Sequence, residues 1–81
     1  MIRSEIEEIV KNFLIEDFEV EEEKIVPEAL LIDDIGIDSL EVVDLIVLVN
    51  RNFGFRIKPE ELKEVKTLAQ FYDYIEAHTT L

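Results

Sequence analysis

The sequence contains no cysteine, so it has neither a disulfide framework nor a thiolate metal site. This absence fits a reducing compartment. Its longest wholly apolar run, Leu45 to Val49, is far too short to cross a bilayer. Arg3 is followed by a charged amphipathic stretch, whereas a signal peptide has an apolar core there. We therefore expect a cytoplasmic protein without membrane insertion and without a bound metal.

Basic residues are few, and their scarcity is uneven along the chain. Eight lysines and arginines face 20 aspartates and glutamates, which gives a formal net charge of −12. Residues 1–50 hold 15 acids and 3 bases, a net of −12, whereas residues 51–81 hold 5 of each. Such a balance repels nucleic acid and anionic membranes and favours partners with basic patches.

The length of 81 residues allows one small domain, spanning residues 1–81. Hydrophobic residues make up 48% of the chain, enough for a modest core. We expect a monomer.

Apolar spacing predicts an all-α fold, a small bundle of three main helices plus one short helix. Residues 2–15 have one apolar face at helical spacing, and residues 16–24 form an acidic loop. Apolar anchors are expected to pin the following connection, in which Pro27 can open a short helical turn. These anchors are Ile25, Val26, Leu30, Leu31 and Ile32.

The second long helix is predicted to begin with Asp38 as its N-cap, because Glu41 completes a capping box. One apolar stripe runs through Val42, Leu45, Ile46, Val49 and Phe53. A second stripe, formed by Leu40, Val43 and Val47, is either part of the core or an exposed apolar face. Gly54 follows at the position where a helix ends in the left-handed conformation.

Two further helices complete the predicted bundle. Pro59 suits the first turn of a short helix over residues 59–65. Thr67 and Gln70 form a capping box for the last helix, whose apolar residues lie at i, i+3, i+4 and i+7.

Ser39 lies at the first position of the predicted second helix. Its side chain should be exposed at a helix N-terminus, where free N–H groups and the dipole favour an anion. A phosphoserine and a phosphodiester both fit there, so the protein is a candidate phosphoprotein. Ser39 as an ordinary helix-start residue is the simplest alternative.

The run from Ile35 to Leu45, I-G-I-D-S-L-E-V-V-D-L, resembles the carrier-serine motif of the acyl carrier protein family. The similarity covers almost the whole chain, from the first amphipathic helix to the capped final helix with F-Y-D-Y-I. It implies a four-helix bundle in which Ser39 receives a covalent 4′-phosphopantetheine arm from a phosphopantetheinyl transferase. Asp38 would help to cap the helix and present the serine.

The resemblance also implies a function in fatty-acid, lipid or polyketide-type biosynthesis, with acyl groups held as thioesters on the arm. Partners would be acyl-transfer and chain-elongation enzymes with basic docking patches. Expected contacts are Leu40, Glu41, Asp44, Val43 and Val47. Fatty-acid carriers usually remain acidic to the end of this helix, whereas here it ends in Asn50, Arg51 and Asn52. That departure suggests a specialised carrier for a dedicated pathway.

Other functions are compatible with parts of the sequence. A peptidyl or aminoacyl carrier and an unmodified acidic helical binding module remain open. An EF-hand fails, because aligning Gly36 to the sixth loop position puts Leu31 and Val42 where carboxylates are required. A hydrolase using Ser39, Asp38 and His78 lacks a G-x-S-x-G turn, so we expect no enzymatic activity.

Overall fold

A computed structural model describes residues 2–79 of the chain. Within that range the chain forms four α-helices, and the predicted class of three main helices plus one short helix is confirmed. Their bounds are α1 Arg3–Phe18, α2 Glu41–Phe53, α3 Pro59–Leu62 and α4 Leu68–His78. A single 3-10 turn, Glu22–Lys24, lies between α1 and α2. None of the helices in residues 2–79 has the length and apolar character needed to span a membrane.

Helices α1 and α4 pack together and supply much of the core. Helix α1 buries Ile6, Val10, Phe13 and Leu14, and α4 buries Leu68, Phe71, Tyr72 and Ile75. The guanidinium of Arg3 lies 2.6 Å from a carboxylate oxygen of Asp73 and links the two helices at the surface. Helix α1 extends past the predicted residue 15 to Phe18, and the chain then turns at Glu19 with φ of 56°.

Helix α2 is buried on one side only. Leu45, Val49 and Phe53 enter the core, and Val42 and Ile46 pack against it, as the first apolar stripe predicts. Gly54 ends the helix with φ of 79°, and its N–H donates to the carbonyl of Asn50 at 3.0 Å. The prediction of a left-handed glycine there is confirmed.

The connection between α1 and α2 is pinned differently from the prediction. Of the five expected anchors, Leu31 is buried and Ile25 is half-buried. Val26, Leu30 and Ile32 are exposed by 37%, 36% and 69% of their surface, so their assignment as anchors was wrong. The buried side chains of Ala29, Ile35 and Ile37 hold the segment instead.

Backbone hydrogen bonds to the start of α4 explain this choice of anchors. The carbonyl of Ala29 accepts the N–H of Leu68 at 2.9 Å, and the N–H of Leu31 donates to the carbonyl of Lys66 at 2.9 Å. Leu30 and Thr67 form an isolated antiparallel bridge. These bonds determine which side chains of the connection face inward. They cannot be predicted from a regular apolar period in the sequence. Pro27 lies in a turn and opens no helix.

The start of α4 is capped as predicted. The N–H of Gln70 donates to the hydroxyl oxygen of Thr67 at 3.2 Å, and the Gln70 side chain accepts the N–H of Thr67 at 3.3 Å. Pro59 occupies the first turn of α3, also as predicted, although α3 ends at Leu62.

Candidate functional site

The candidate site begins with the cap of α2. One carboxylate oxygen of Asp38 accepts the N–H groups of Leu40 and Glu41, each at 2.9 Å. The Glu41 carboxylate in turn accepts the N–H of Asp38 at 3.3 Å. The reciprocal hydrogen bonds of the predicted capping box are therefore present around the turn that precedes α2, and such a device typically contributes about 1 kcal/mol.

The position of Ser39 differs slightly from the prediction. Ser39 and Leu40 form a turn, and the regular helix begins at Glu41, so placing Ser39 in the first helical position was two residues early. The carbonyl of Asp38 nevertheless accepts the N–H of Val42 at 3.1 Å, which joins this turn to the helix. Ser39 is thus exposed on a tight, well-bonded turn.

The segment before Ser39 holds this turn against the core. Ile37 is 2% exposed, and its N–H donates to the carbonyl of Leu31 at 3.0 Å. Gly36 has φ of 90°, a left-handed conformation that favours glycine. The chain therefore enters the Asp38 cap along a fixed path, with Ile37 inside and Ser39 outside.

An exposed apolar ridge follows Ser39 along α2. Leu40, Val43 and Val47 are 81%, 61% and 52% exposed, so the second apolar stripe is a free face and not core. Glu41 and Asp44 lie in the same stretch of the helix. The five residues expected to contact partners thus combine exposed apolar groups with two carboxylates.

A large groove opens beside Ser39. It has a volume of about 930 Å³ and extends between α2, α3 and the segment before α2. Its lining is mostly aliphatic, with Ser39 and Asp38 among the polar members and Lys63 and Lys66 among the cations. The apolar side chains that line it include Leu31, Val42, Val43, Ile46, Leu62 and Val65.

A second, smaller depression of about 250 Å³ lies on another side of α2. Asp17 and Phe18 at the end of α1 line it together with Glu41, Asp44, Val47 and Leu48. Val43 lines the large groove, whereas Val47 lines this depression. The two valines of the ridge therefore border different cavities.

The hydrogen bonds of the cap change one electrostatic expectation. The sequence predicts that free N–H groups at the start of α2 favour an anion on Ser39. The N–H groups of Leu40 and Glu41 instead donate hydrogen bonds to the Asp38 carboxylate. An anion at Ser39 would therefore share this turn with the carboxylates of Asp38 and Glu41, without those two donors.

The only histidine is engaged elsewhere. The ring of His78 stacks on Tyr74 with centroids 4.1 Å apart and on Phe55 at 5.5 Å. Its Nδ1 atom lies 2.8 Å from the carbonyl oxygen of Tyr74. His78 thus packs at the end of α4, in a setting that gives no support to a serine–histidine pair.

The fold and site together define a class: a small helical bundle that displays one serine on a capped turn beside an apolar groove. A family model for the phosphopantetheine attachment site matches residues 8–75. This match covers most of the chain, and the protein belongs to that family of carrier domains. Membership implies a covalently attached 4′-phosphopantetheine prosthetic group. Domains of this family generally interact with a phosphopantetheinyl transferase and with biosynthetic enzymes.

The residues present suit such a group. An exposed hydroxyl is available to an incoming enzyme at Ser39, and the adjoining groove offers an aliphatic surface to a flexible arm. Candidate site residues near the sequence motif were found by their pattern. Lys63 and Lys66 were not, because they lie more than twenty positions further along the chain and no local signal links them to Ser39.

Proposed function

We propose that Ser39 carries the 4′-phosphopantetheine arm and that the protein is a cytoplasmic, monomeric acyl carrier without catalytic activity of its own. A transferase would join the Ser39 hydroxyl oxygen to the pantetheine-bearing phosphorus of coenzyme A. Adenosine 3′,5′-bisphosphate leaves, and the hydroxyl proton passes to the surroundings. The terminal thiol of the arm then holds cargo as a thioester.

The observation that supports this proposal is the placement of Ser39. It is exposed, it is held by a cap on a defined turn, and it lines the edge of an apolar groove. The other serine, Ser4, is exposed on the first turns of α1, without such a motif. It therefore provides a matched control.

The test is intact-mass spectrometry after incubation with coenzyme A and a broad-specificity phosphopantetheinyl transferase. We expect one arm on the wild type and on Ser4→Ala, and none on Ser39→Ala. Circular dichroism should show the same helix content for all three proteins, because both serines are exposed. An adduct on Ser39→Ala equal to that on the wild type would end the proposal.

The groove favours an acyl cargo over an aminoacyl or peptidyl one. Removing an acyl chain from water contributes about 0.8 kcal/mol per methylene, and the aliphatic walls of the groove accept such a chain. Amide spectra of the thiol, octanoyl and aminoacyl forms test this preference. We expect octanoyl loading to shift the amides of Val42, Ile46 and Leu62, and aminoacyl loading to leave them in place. Equal spectra for the thiol and octanoyl forms would argue for a cargo outside the protein.

Partners are proposed to dock on the ridge formed by Leu40, Val43 and Val47, guided by Glu41 and Asp44. Exposed carboxylates accelerate encounter with basic patches and make the association rate depend on salt. We expect Asp44→Lys to slow arm transfer at low salt and to reduce its salt dependence. Glu8→Lys on α1 provides the control with the same change of charge. An equal response of both variants would mean that net charge alone guides the partner.

A dedicated pathway remains the proposal for the biosynthetic role. Asn50 and Arg51 end α2 without acidic side chains, and both are exposed. Asn50→Glu with Arg51→Glu should improve use by fatty-acid elongation enzymes if those residues restrict partner choice. Unchanged kinetics with such enzymes would contradict this role.

A further inference from the structure

The turn at Ser39 presents an electrostatic problem for the proposed arm, and this inference rests on that proposed attachment. A phosphodiester on the Ser39 hydroxyl carries one negative charge. The next two backbone N–H groups along the chain donate hydrogen bonds to the Asp38 carboxylate; they belong to Leu40 and Glu41. The carboxylates of Asp38 and Glu41 then lie in the same turn as the phosphate. Like charges this close are mutually unfavourable, so a nearby cation would stabilise the modified state.

Two lysines occupy the groove that Ser39 lines. Lys63 directly follows the buried Leu62 at the end of α3, and Lys66 lies in the connection to α4. The carbonyl of Lys66 accepts the N–H of Leu31 at 2.9 Å, which fixes its backbone beside the segment that leads to Ser39. The fold thus places two cations in the lining of the groove that Ser39 also lines, together with the carboxylates of Asp33 and Asp38.

These lysines differ from the cations on α1. Arg3 lies 2.6 Å from Asp73, and Lys11 lies 2.6 Å from Glu22, so both are in ion pairs. Within residues 2–79 neither Lys63 nor Lys66 has a carboxylate oxygen within 4.0 Å of its ammonium group. In a chain with 20 acids and 8 bases, these two ammonium groups remain available to another anion.

We propose that Lys63 and Lys66 bind the phosphodiester of the arm and direct the arm into the groove between α2 and α3. Ammonium groups are strongly hydrated and rotate freely, so they suit a phosphate without requiring a rigid geometry. The aliphatic lining from Ile46, Leu62 and Val65 then contacts the arm beyond the phosphate. The lysines would therefore decide how much of its time the arm lies against the protein.

The absence of cysteine makes this proposal directly measurable. A thiol-reactive nitroxide attaches to the arm alone, because no protein thiol competes with it. Paramagnetic broadening of backbone amides then reports where the end of the arm lies. The labelled thiol form has no acyl cargo, so its phosphate is the only anion that the arm supplies.

We expect the wild-type protein to show strong broadening at Ile46, Leu62 and Val65. Lys63→Glu with Lys66→Glu should reduce that broadening several-fold, because the reversed charges repel the phosphate. Lys24→Glu with Lys58→Glu is the matched control: it changes the net charge equally at two exposed lysines outside the groove lining. The control should retain the wild-type pattern.

Unbroadened groove amides in the wild type, or equal broadening in the groove variant, would overturn the proposal. If the glutamate pair disturbs the unlabelled amide spectrum, Lys63→Gln with Lys66→Gln removes both charges and should still reduce the broadening. Failure of the proposed function is distinct, because no label attaches to a protein that lacks an arm on Ser39.

Discussion

Helices α2 and α4 begin with the same local device but serve different purposes. Asp38 with Glu41 and Thr67 with Gln70 both form reciprocal capping boxes. The residue after Thr67 is Leu68, which is completely buried, whereas Asp38 is followed by the exposed Ser39 and by a leucine that is 81% exposed. A capping box therefore marks a helix start, and its surroundings decide whether that start is structural or available to a partner.

The surroundings differ because of long-range hydrogen bonds. The start of α4 is joined to the connection between α1 and α2 through the bond from Leu68 to Ala29 and through the bridge of Thr67 with Leu30. At the start of α2, the cap bonds remain within residues 38–42. The first residue of α4 is thus buried in the core, whereas Ser39 and Leu40 at the start of α2 are exposed on the surface.

The largest expected effect separates the two leucines of these helix starts. Leu68→Ala should lower the free energy of unfolding by about 2–5 kcal/mol, because it removes a buried side chain and leaves a cavity. Leu40→Ala should change it by no more than about 0.5 kcal/mol. Urea unfolding followed by circular dichroism measures both. Similar losses for the two variants would contradict the contrast in burial.

The next effect concerns the entry into the exposed start. Gly36→Ala should cost about 1–2 kcal/mol, because φ of 90° is unfavourable for a residue with a Cβ atom. Gly54→Ala, at φ of 79°, should cost a similar amount at the far end of α2. Only Gly36→Ala should also slow arm transfer to Ser39. The comparison fails if both variants slow the transferase equally.

Removal of either cap should have a smaller effect than the glycine substitutions, and the effect should be about the same for both helices. Asp38→Ala and Thr67→Ala should each destabilise the protein by about 1 kcal/mol. Asp38→Asn should lose less, since an amide oxygen still accepts the N–H groups. Arm transfer should fall in Asp38→Ala and stay unchanged in Thr67→Ala when both are assayed well below their melting temperatures. If Asp38→Ala has the same free energy of unfolding as the wild type, the capping box contributes nothing to stability.

The smallest expected effect concerns the second half of α4, which a side-chain hydrogen bond links to α3. The hydroxyl of Tyr74 donates to the Glu61 carboxylate at 2.8 Å, and burial with this bond raises the pKa of Tyr74 to about 12. Burial raises the pKa of Tyr72 to about 12 as well. Folding therefore favours the neutral phenols, a contribution that is complete below pH 10 and is lost as pH rises towards 12.

An alkaline titration tests that prediction through tyrosinate absorbance and helix content together. Tyr74→Phe should remove one absorbance step near pH 12 and weaken the alkaline loss of stability. Tyrosinate formation near pH 10 by a protein with intact helices would contradict the raised pKa values.

The sequence predicts the helices well because their signals are local. Apolar periodicity identifies α1 and α4, capping residues identify two helix starts, and Gly54 identifies the end of α2. The motif around Ser39 is equally local, and the family match over residues 8–75 agrees with it. For these features, each residue's neighbours within one or two turns supply most of the relevant information.

The features that were missed depend on distant contacts. Ile32 is exposed and Ile35 is buried although both are isoleucines of the same irregular segment, because hydrogen bonds to the start of α4 set its orientation. The sequence also left open whether the second stripe of α2 is core, and the exposure of Val43 and Val47 answers that question. Lys63 and Lys66 line the same groove as Ser39 because the fold places the end of α3 along that groove.

The central claim is that the exposed helix start at Ser39 carries the arm, and peptide mapping of the modified wild-type protein tests it most directly. After reaction with coenzyme A and the transferase, the protein is digested and fragmented in a mass spectrometer. The account predicts a single phosphopantetheine on the peptide that contains residues 33–44, localised to Ser39. An unmodified Ser39, or an arm on Ser4 or Thr67, would contradict it.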